Sequence, residues 1–244
     1  MKYYNITMPT CGVPALLPLL LASGPMMIDS PCPTRSRLLL PETDPLRAIL
    51  VPDRVIAVRP RALSAAHSAA ARIMLAHGPR LILARGTPDR LGRLLAPRMP
   101  ADARILLDDA LALAADYRTL AGLTEVRLRL ERITTDSCRR FHVDRVGLRL
   151  LCTYVGPGTQ WVPSHPADRM PHAEIDPASM RQIGTGDIAV LKGSAWPGGD
   201  GQGVLHRSPP LSHGPEAERV RLLLTIDAPD ACGMMDDANP TIVT

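Results

Sequence analysis

At Thr124 the chain changes its hydrophobic period, and that change decides what it can fold into. EVRLRLERI, residues 125–133, sets Val126, Leu128 and Leu130 against Arg127, Arg129 and Glu131. Such alternation buries one face of a strand and leaves the other polar. GLRLLCTYVG (147–156), DIAVLKG (187–193), GVLHRS (203–208) and RVRLLLTID (219–227) follow as short apolar segments bounded by glycine or proline. Several short antiparallel strands joined by glycine-rich turns predict a sandwich or barrel.

Before Thr124 the pattern is helical. PRALSAAHSAAARIMLAH, residues 60–77, is alanine-rich with apolar residues at helical spacing. Thr87 followed by Pro88 is a helix start, and that helix runs to about Leu95, ahead of Pro97. Residues 102–123 read as one longer helix. The expected fold class is therefore α+β. Residues 1–45 form an extension or linker, 46–123 a helical layer, 124–232 the β domain and 233–244 a tail.

The net charge of +4 does not indicate a nucleic-acid partner. The basic residues are almost all arginine, Lys2 and Lys192 being the only lysines, and no run of like charge or aromatic-studded basic patch occurs. Cys11, Cys32, Cys138, Cys152 and Cys232 are odd in number and lack CxxC spacing, which fits a reducing, cytoplasmic compartment. PALLPLLLASG, residues 14–24, has the length of a signal-peptide apolar region, but prolines interrupt it and the segment before it is long. It is too short to span a membrane.

FHVD, residues 141–144, stands at the head of a strand segment. In a strand, residues i and i+2 share a face, so His142 and Asp144 would present an imidazole and a carboxylate together. They supply two ligands of a 2-His-1-carboxylate triad, which holds a ferrous ion and leaves open positions. A distant histidine on the same pocket must supply the third, and His206 in GVLHRSPP is the candidate, 62 positions on (206 minus 144). Taken alone, such a pair occurs on many strands by chance and reads as two polar residues on a wet sheet face.

The order HVD, LRLLCTYVGPGTQW, GTGDIAVLKG, GVLHRSPP and ERVRLLLTID resembles the iron(II)- and 2-oxoglutarate-dependent dioxygenase superfamily, especially its prolyl-hydroxylase-like branch. The phrases C-x-x-FH-x-D, TY-x-GPGT-x-W, LKG and HRSPP are similar to those of an uncharacterised bacterial family of unknown function. The resemblance implies a double-stranded β-helix, jelly-roll or cupin-like, over roughly residues 124–228. It implies His142, Asp144 and His206 as ligands of Fe(II) or another divalent metal, and 2-oxoglutarate as co-substrate. The arginine that grips the co-substrate's far carboxylate falls on Arg221 or Arg219, with Arg221 favoured because it opens the apolar run. A guanidinium meets a carboxylate through two hydrogen bonds. Tyr154 and Thr153 correspond to a strand that often gives a hydroxyl to the co-substrate.

Two features depart from that pattern. His206 and Arg221 are 15 positions apart (221 minus 206), longer than the superfamily's usual spacing. Lys192 stands in an apolar strand, where it either pairs with an acidic substrate or co-substrate or reaches from a strand end for water. Trp161 and Trp196 wall the pocket or fill the core, and Cys138 and Cys152 read as buried small hydrophobes. HPADRMPH, with His165, Asp168 and His172, is a conceivable second metal site, and His213 reads as a loop residue. The expected activity is hydroxylation of an unidentified small molecule or peptide side chain. The competing readings are a cupin-like metalloenzyme without 2-oxoglutarate, a non-catalytic protein of divalent-metal homeostasis, and a metal-free sandwich.

Overall fold

The computed structural model describes residues 40–136, 138–163, 175–199, 203–212, 214–216, 219–231 and 240–244. A 3-10 turn, Pro45–Leu50, precedes β1 (Ile56–Arg59), α1 (Ala65–His77), β2 (Leu81–Gly86), α2 (Pro88–Leu95) and α3 (Arg104–Leu120). Then come β3 (Val126–Ile133), β4 (Leu148–Val155), β5 (Gln160–Val162), β6 (Arg181–Gln182), β7 (Ile188–Lys192), β8 (Leu205–Arg207), β9 (Arg221–Asp227) and β10 (Thr241–Val243). Ser64 and Thr87 cap the first two helices by accepting from the backbone N–H groups of His67 and Arg90.

The strands form two antiparallel sheets. The larger has the order β1-β7-β4-β9-β3-β2-β10 and the smaller β6-β5-β8, which a lone bridge between His142 and His206 extends. Following the chain, β3 lies in the large sheet, His142 bridges to the small one, and β4 returns to the large. β5 and β6 are in the small sheet, β7 in the large, β8 in the small and β9 in the large. This alternate winding is that of a double-stranded β-helix, or jelly roll. The fold is α+β.

Strand parity separates two interiors. Leu128, Leu130, Leu150, Cys152, Leu222, Leu224 and Ile226 face the helices and form the main core with Leu91, Leu106, Leu113 and Tyr117. Each such side chain, fully buried, stabilises by roughly 1.5–3 kcal/mol. Leu151, Ala189, Leu191, Ile183 and Val204 fill the narrower space between the sheets, with Trp161 against them. β9 is buried on both faces between β3 and β4, which is why its text reads as a near-continuous apolar run.

The segment read as a helical layer also contains β1 and β2, which join the large sheet. RLILARG has the β-branched and apolar content of a strand but sits between two stronger helix patterns, so its own periodicity was too short to separate it. Leu40, Leu46 and Ile49 are buried, so packing begins inside the expected linker. Thr241–Val243 in the expected tail pairs as β10 with β2.

The helices are pinned to the sheet by polar contacts. Arg61 donates through both terminal nitrogens to Asp109 of α3 at 2.6 and 2.7 Å, and Tyr117 of α3 donates to the carbonyl of Leu148 at 2.8 Å. None of the helices among the described residues is long and apolar enough to cross a membrane.

Candidate metal centre

His142, Asp144 and His206 converge, with one ligand atom from each lying within 4.8 Å of the others. Asp144 Oδ1 stands 3.5 Å from His142 Nε2, and Oδ2 stands 3.2 Å from His206 Nε2. Adjacent ligands of one ion, with bonds of about 2.1 Å, stand roughly 3 Å apart, so the spacing fits a divalent cation. The tautomers fit as well. Nδ1 of His142 lies 2.9 Å from the carbonyl of Arg140, and Nδ1 of His206 lies 3.0 Å from that of Val204. A carbonyl can only accept, so each Nδ1 carries the proton and each Nε2 is left for a metal.

The route to this geometry differs from the one expected. His142 and Asp144 do not lie on a regular strand: His142 makes one bridge, to His206, and Asp144 lies in the following loop. The bridge is reciprocal, N–H to carbonyl at 2.9 and 3.0 Å, and it sets the two imidazoles 4.6 Å apart. The LKG segment holds the loop. Ser194 donates from its backbone to the Asp144 carbonyl at 2.8 Å, and a Cβ at Gly193 would strike the carbonyls of Val146 and Asp144.

Arg149 of β4 fixes the carboxylate. Nη1 donates to Asp144 Oδ2 at 2.7 Å, while Nε and Nη2 grip Asp227 at 2.7 and 2.9 Å. Burial alone would raise the Asp144 pKa. The hydrogen bonds with His142 and His206 and the charge of Arg149 outweigh it and hold the acid well below its usual range. The His142 pKa is raised, chiefly by its contact with Asp144, against the opposing effect of burial.

Beside the triad lies a cavity of about 380 Å³. Its floor is the inward face of β3, β4 and β9, and His142, His206, Thr159 and Ser208 contribute to its walls. Arg221 shares that face of β9 with Leu223, Thr225 and Asp227, and it is fully buried. Its guanidinium donates to the hydroxyls of Thr153 at 3.2 Å, Thr159 at 3.1 Å and Ser208 at 3.2 Å, and its Nε has no partner. No carboxylate among the described residues pairs with it, and burial pushes its pKa down to about 10. A buried cation surrounded only by neutral hydroxyls is costly unless an anion joins it. The GPGT turn builds this ring. Gly156 has φ +82° and lies so close to the Val220 carbonyl that a Cβ would collide, which brings the turn against the start of β9.

Three residues expected at the co-substrate lie elsewhere. Arg219 is exposed, before β9 begins, and donates to the Gly214 carbonyl, so it does not share a strand face with Arg221. Tyr154 faces the helices and donates to Asp109 Oδ2 at 2.7 Å. A bulge falls there, between Thr153 and Val155, and Thr153 takes the cavity side. Lys192 points to the helix side of β7, where its ammonium donates to the carbonyls of Val51 and Pro52 at 2.8 and 2.9 Å and sits 5.1 Å from the Trp196 ring centre. It caps the end of the Pro45–Leu50 turn and neither reaches a ligand nor finds water. Cys152 is buried as expected, its thiol pushed up to about 12 by burial, whereas Cys138 is exposed and lines the cavity. His165, Asp168, His172, His213, Cys11, Cys32 and Cys232 lie outside the described residues.

The pattern of a family described as "Protein of unknown function (DUF1826)" matches residues 42–227. The chain belongs to the DUF1826 family. No curated protein matches it. Among solved structures, the DUF1826 chain is similar to a Pseudomonas putida prolyl-4-hydroxylase at 16% identity and TM-score 0.41, over 75% of this chain and 97% of that one. It is similar to the Fe(II)/α-ketoglutarate-dependent dioxygenase TqaL at 12% identity and TM-score 0.39, over 75% and 84%. AviO1 from Streptomyces viridochromogenes Tue57 aligns at 13% identity and TM-score 0.39, over 78% and 97%.

In this DUF1826 chain the site also includes Arg149, Asp227, Thr159 and Ser208, which are not among the residues expected from the sequence. The signal for Arg149 and Asp227 was available: both are charged residues at the ends of otherwise apolar strands, on the same parity as the polar face of β3. Thr159 and Ser208 lie inside the GPGT and HRSPP phrases but carry no pattern that separates a ligand-facing hydroxyl from a turn residue.

Proposed function

We propose that the chain is an iron(II)- and 2-oxoglutarate-dependent oxygenase of the hydroxylase type, acting on a small molecule. The observation that carries this reading is the His142–Asp144–His206 cluster, whose two histidines line the cavity, together with a buried Arg221 whose partners Thr159 and Ser208 line the same cavity and which pairs with no carboxylate among the described residues. In such a centre ferrous iron supplies the activation of dioxygen, with coordination positions left open for small molecules. The protein's share is binding and exclusion. His142, Asp144 and His206 hold the metal from one side, with both Nε2 lone pairs aimed inward. Arg221 receives the distal carboxylate of 2-oxoglutarate as a two-point fork, and Thr153, Thr159 and Ser208 keep that fork in one plane. Burial at the end of β9 keeps water from the charged pair, which strengthens it.

The test has two stages. The purified chain binds one divalent ion, and His142→Ala or His206→Ala abolishes binding; unchanged occupancy in both variants sinks the metal site. The iron-loaded chain then forms succinate from 2-oxoglutarate under oxygen, and Arg221→Met lowers affinity for 2-oxoglutarate at least tenfold without changing metal content. A chain that binds metal but shows no affinity for 2-oxoglutarate returns the reading to a metal-binding protein.

A further inference from the structure

The two arms of the Arg221 guanidinium are held in different ways. Nη2 donates to the hydroxyls of Thr153 and Thr159, whereas Nη1 has Ser208 as its one partner among the described residues, at 3.2 Å. Thr153 stands in β4 and the Thr159 carbonyl accepts from the Ile183 N–H, so the Nη2 arm rests on paired backbone. Ser208 lies past the end of β8, in the long connection that separates His206 from Arg221. A planar fork meets a carboxylate at two points only if both of its arms are held in the right plane. What holds Ser208 therefore decides how the fork is presented.

The connection begins as an antiparallel zipper. His142 and His206 exchange both backbone hydrogen bonds, and the Ser208 N–H donates to the Cys138 carbonyl at 3.0 Å. Pro209 and Pro210 come next, with no N–H to give, so backbone pairing from this side stops. Asp136 closes the zipper with its side chain instead. Its Oδ1 accepts from the Leu211 N–H at 2.7 Å and the Ser212 N–H at 3.0 Å, and its Oδ2 accepts from the Ser212 hydroxyl. Leu211 is 2% exposed, so the far end of this strap is packed as well as tied. Each proline has a fixed φ and restricts the residue before it, which leaves few free rotations between Leu211 and Ser208. A clamp on one end is felt at the other.

We propose that Asp136 is a positioning residue for the co-substrate site: by clamping Leu211 and Ser212 it sets the Ser208 hydroxyl against Arg221 and holds the guanidinium ready for a carboxylate. The identity of that carboxylate as 2-oxoglutarate rests on the oxygenase reading. Asp136 is not among the residues that line the cavity, and it acts through the strap alone. Loss of the clamp leaves every contact to the ligand available but unordered, and ordering it on binding lowers affinity. The metal ligands are spared, because His142 and His206 are bonded to each other at the other end of the zipper.

The test titrates the full chain, loaded with manganese(II) and kept without oxygen, with 2-oxoglutarate. Asp136→Ala weakens 2-oxoglutarate binding by about tenfold, the order of one lost hydrogen bond to a charged group, and manganese affinity is unchanged. Asp136→Asn restores the binding, because its carbonyl oxygen accepts from both N–H groups and its amide donates to the Ser212 oxygen. Ser208→Ala weakens 2-oxoglutarate to a similar degree, and adding Asp136→Ala to it causes no further loss, since both remove the same support. A clamp that only stabilised the fold would multiply the two losses. Multiplied losses overturn the proposal, as does unchanged affinity in Asp136→Ala. If Asp136→Ala does not fold, Ser212→Ala removes one of the three bonds at an exposed residue. Its smaller loss must then disappear in the Ser208→Ala background, and a loss that persists there overturns the proposal. Wild-type chain that takes up manganese but not 2-oxoglutarate ends the oxygenase reading and this role together. Wild-type binding with no difference in the variants ends this role alone.

Discussion

Arg149 donates to Asp144 Oδ2 at 2.7 Å from one arm of its guanidinium while the other side closes a two-point bond with Asp227. Asp144 has no strand to hold it, so this contact, with the backbone bond from Ser194, orients the carboxylate. Two effects oppose each other at a metal. The arginine's charge repels a cation, and its grip spares the carboxylate the cost of being ordered on binding. We expect the second to win, because the loop is otherwise irregular. Arg149→Met then weakens metal binding by about 10–100-fold, the usual cost of losing a partner behind a ligand. It also destabilises the metal-free chain by about 3 kcal/mol, since Asp227 is left buried without its cation. Arg149→Lys keeps the charge but loses the fork and weakens metal binding too. Tighter binding in Arg149→Met with an unaffected lysine variant, read by metal titration, would show that charge rather than orientation dominates.

Tyr154 gives the clearest separation between the expected and the observed site. Its hydroxyl donates to Asp109 Oδ2 on the helix side of β4, and burial raises its pKa well above the usual value. Tyr154→Phe removes a hydrogen bond to a charged acceptor, worth about 2 kcal/mol in urea denaturation. Affinity for 2-oxoglutarate stays unchanged. A tenfold loss of that affinity in Tyr154→Phe would restore the tyrosine to the co-substrate site.

The order of β3, β4, β7, β8 and β9 was legible because each is an alternating or apolar segment bounded by glycine or proline. The triad was legible for another reason: HVD alone is a pair that many chains carry by chance, and only GVLHRSPP and RVRLLLTID, following it in the order of the family it resembles, single out His142, Asp144 and His206. The side of the sheet was not legible. TYV and VLK place a tyrosine and a lysine in buried strands, and only the parity of β4 and β7, with Leu150 and Cys152 in one and Ile188 and Val190 in the other facing the core, decides that both turn towards the helices. Likewise Arg127 and Arg129 read as the wet face of β3, because alternation cannot distinguish solvent from a cavity wall. β1, β2 and β10 lie beyond the jelly-roll strands and were hidden by neighbouring helix patterns or by shortness.

The GPGT turn is tested at Gly156. Its φ of +82° disfavours any L side chain, and a Cβ there would meet the Val220 carbonyl, one residue before Arg221. Gly156→Ala should therefore move the start of β9 away from Thr153 and Thr159 and lower 2-oxoglutarate affinity at least tenfold. The triad is held by β8, the Asp144 loop and Arg149, so metal stoichiometry is retained. Loss of both functions together, with native circular dichroism, would show that the turn positions the whole centre rather than Arg221.

The Asp109 contacts with Arg61 and Tyr154 set the acid limb of stability. Burial alone would raise the Asp109 pKa, but the bonds from Arg61 and Tyr154 outweigh it and bring the pKa below its ordinary 3.8. A carboxylate with a depressed folded-state pKa adds stability that is fully present above the unfolded value. That stability is lost as pH falls through the folded one. Above about pH 5 the wild type should therefore exceed Asp109→Asn by a constant margin. Below 3.8, where protonation of the unfolded state sets in first, the margin should shrink as the pH falls towards the folded pKa. Urea midpoints between about pH 2.5 and 7 measure it, over the range in which the two pKa values separate. A margin that stays the same to the lowest pH at which the chain folds would mean that Asp109 titrates alike in the folded and unfolded states, and that the Arg61 fork adds nothing to the charged form.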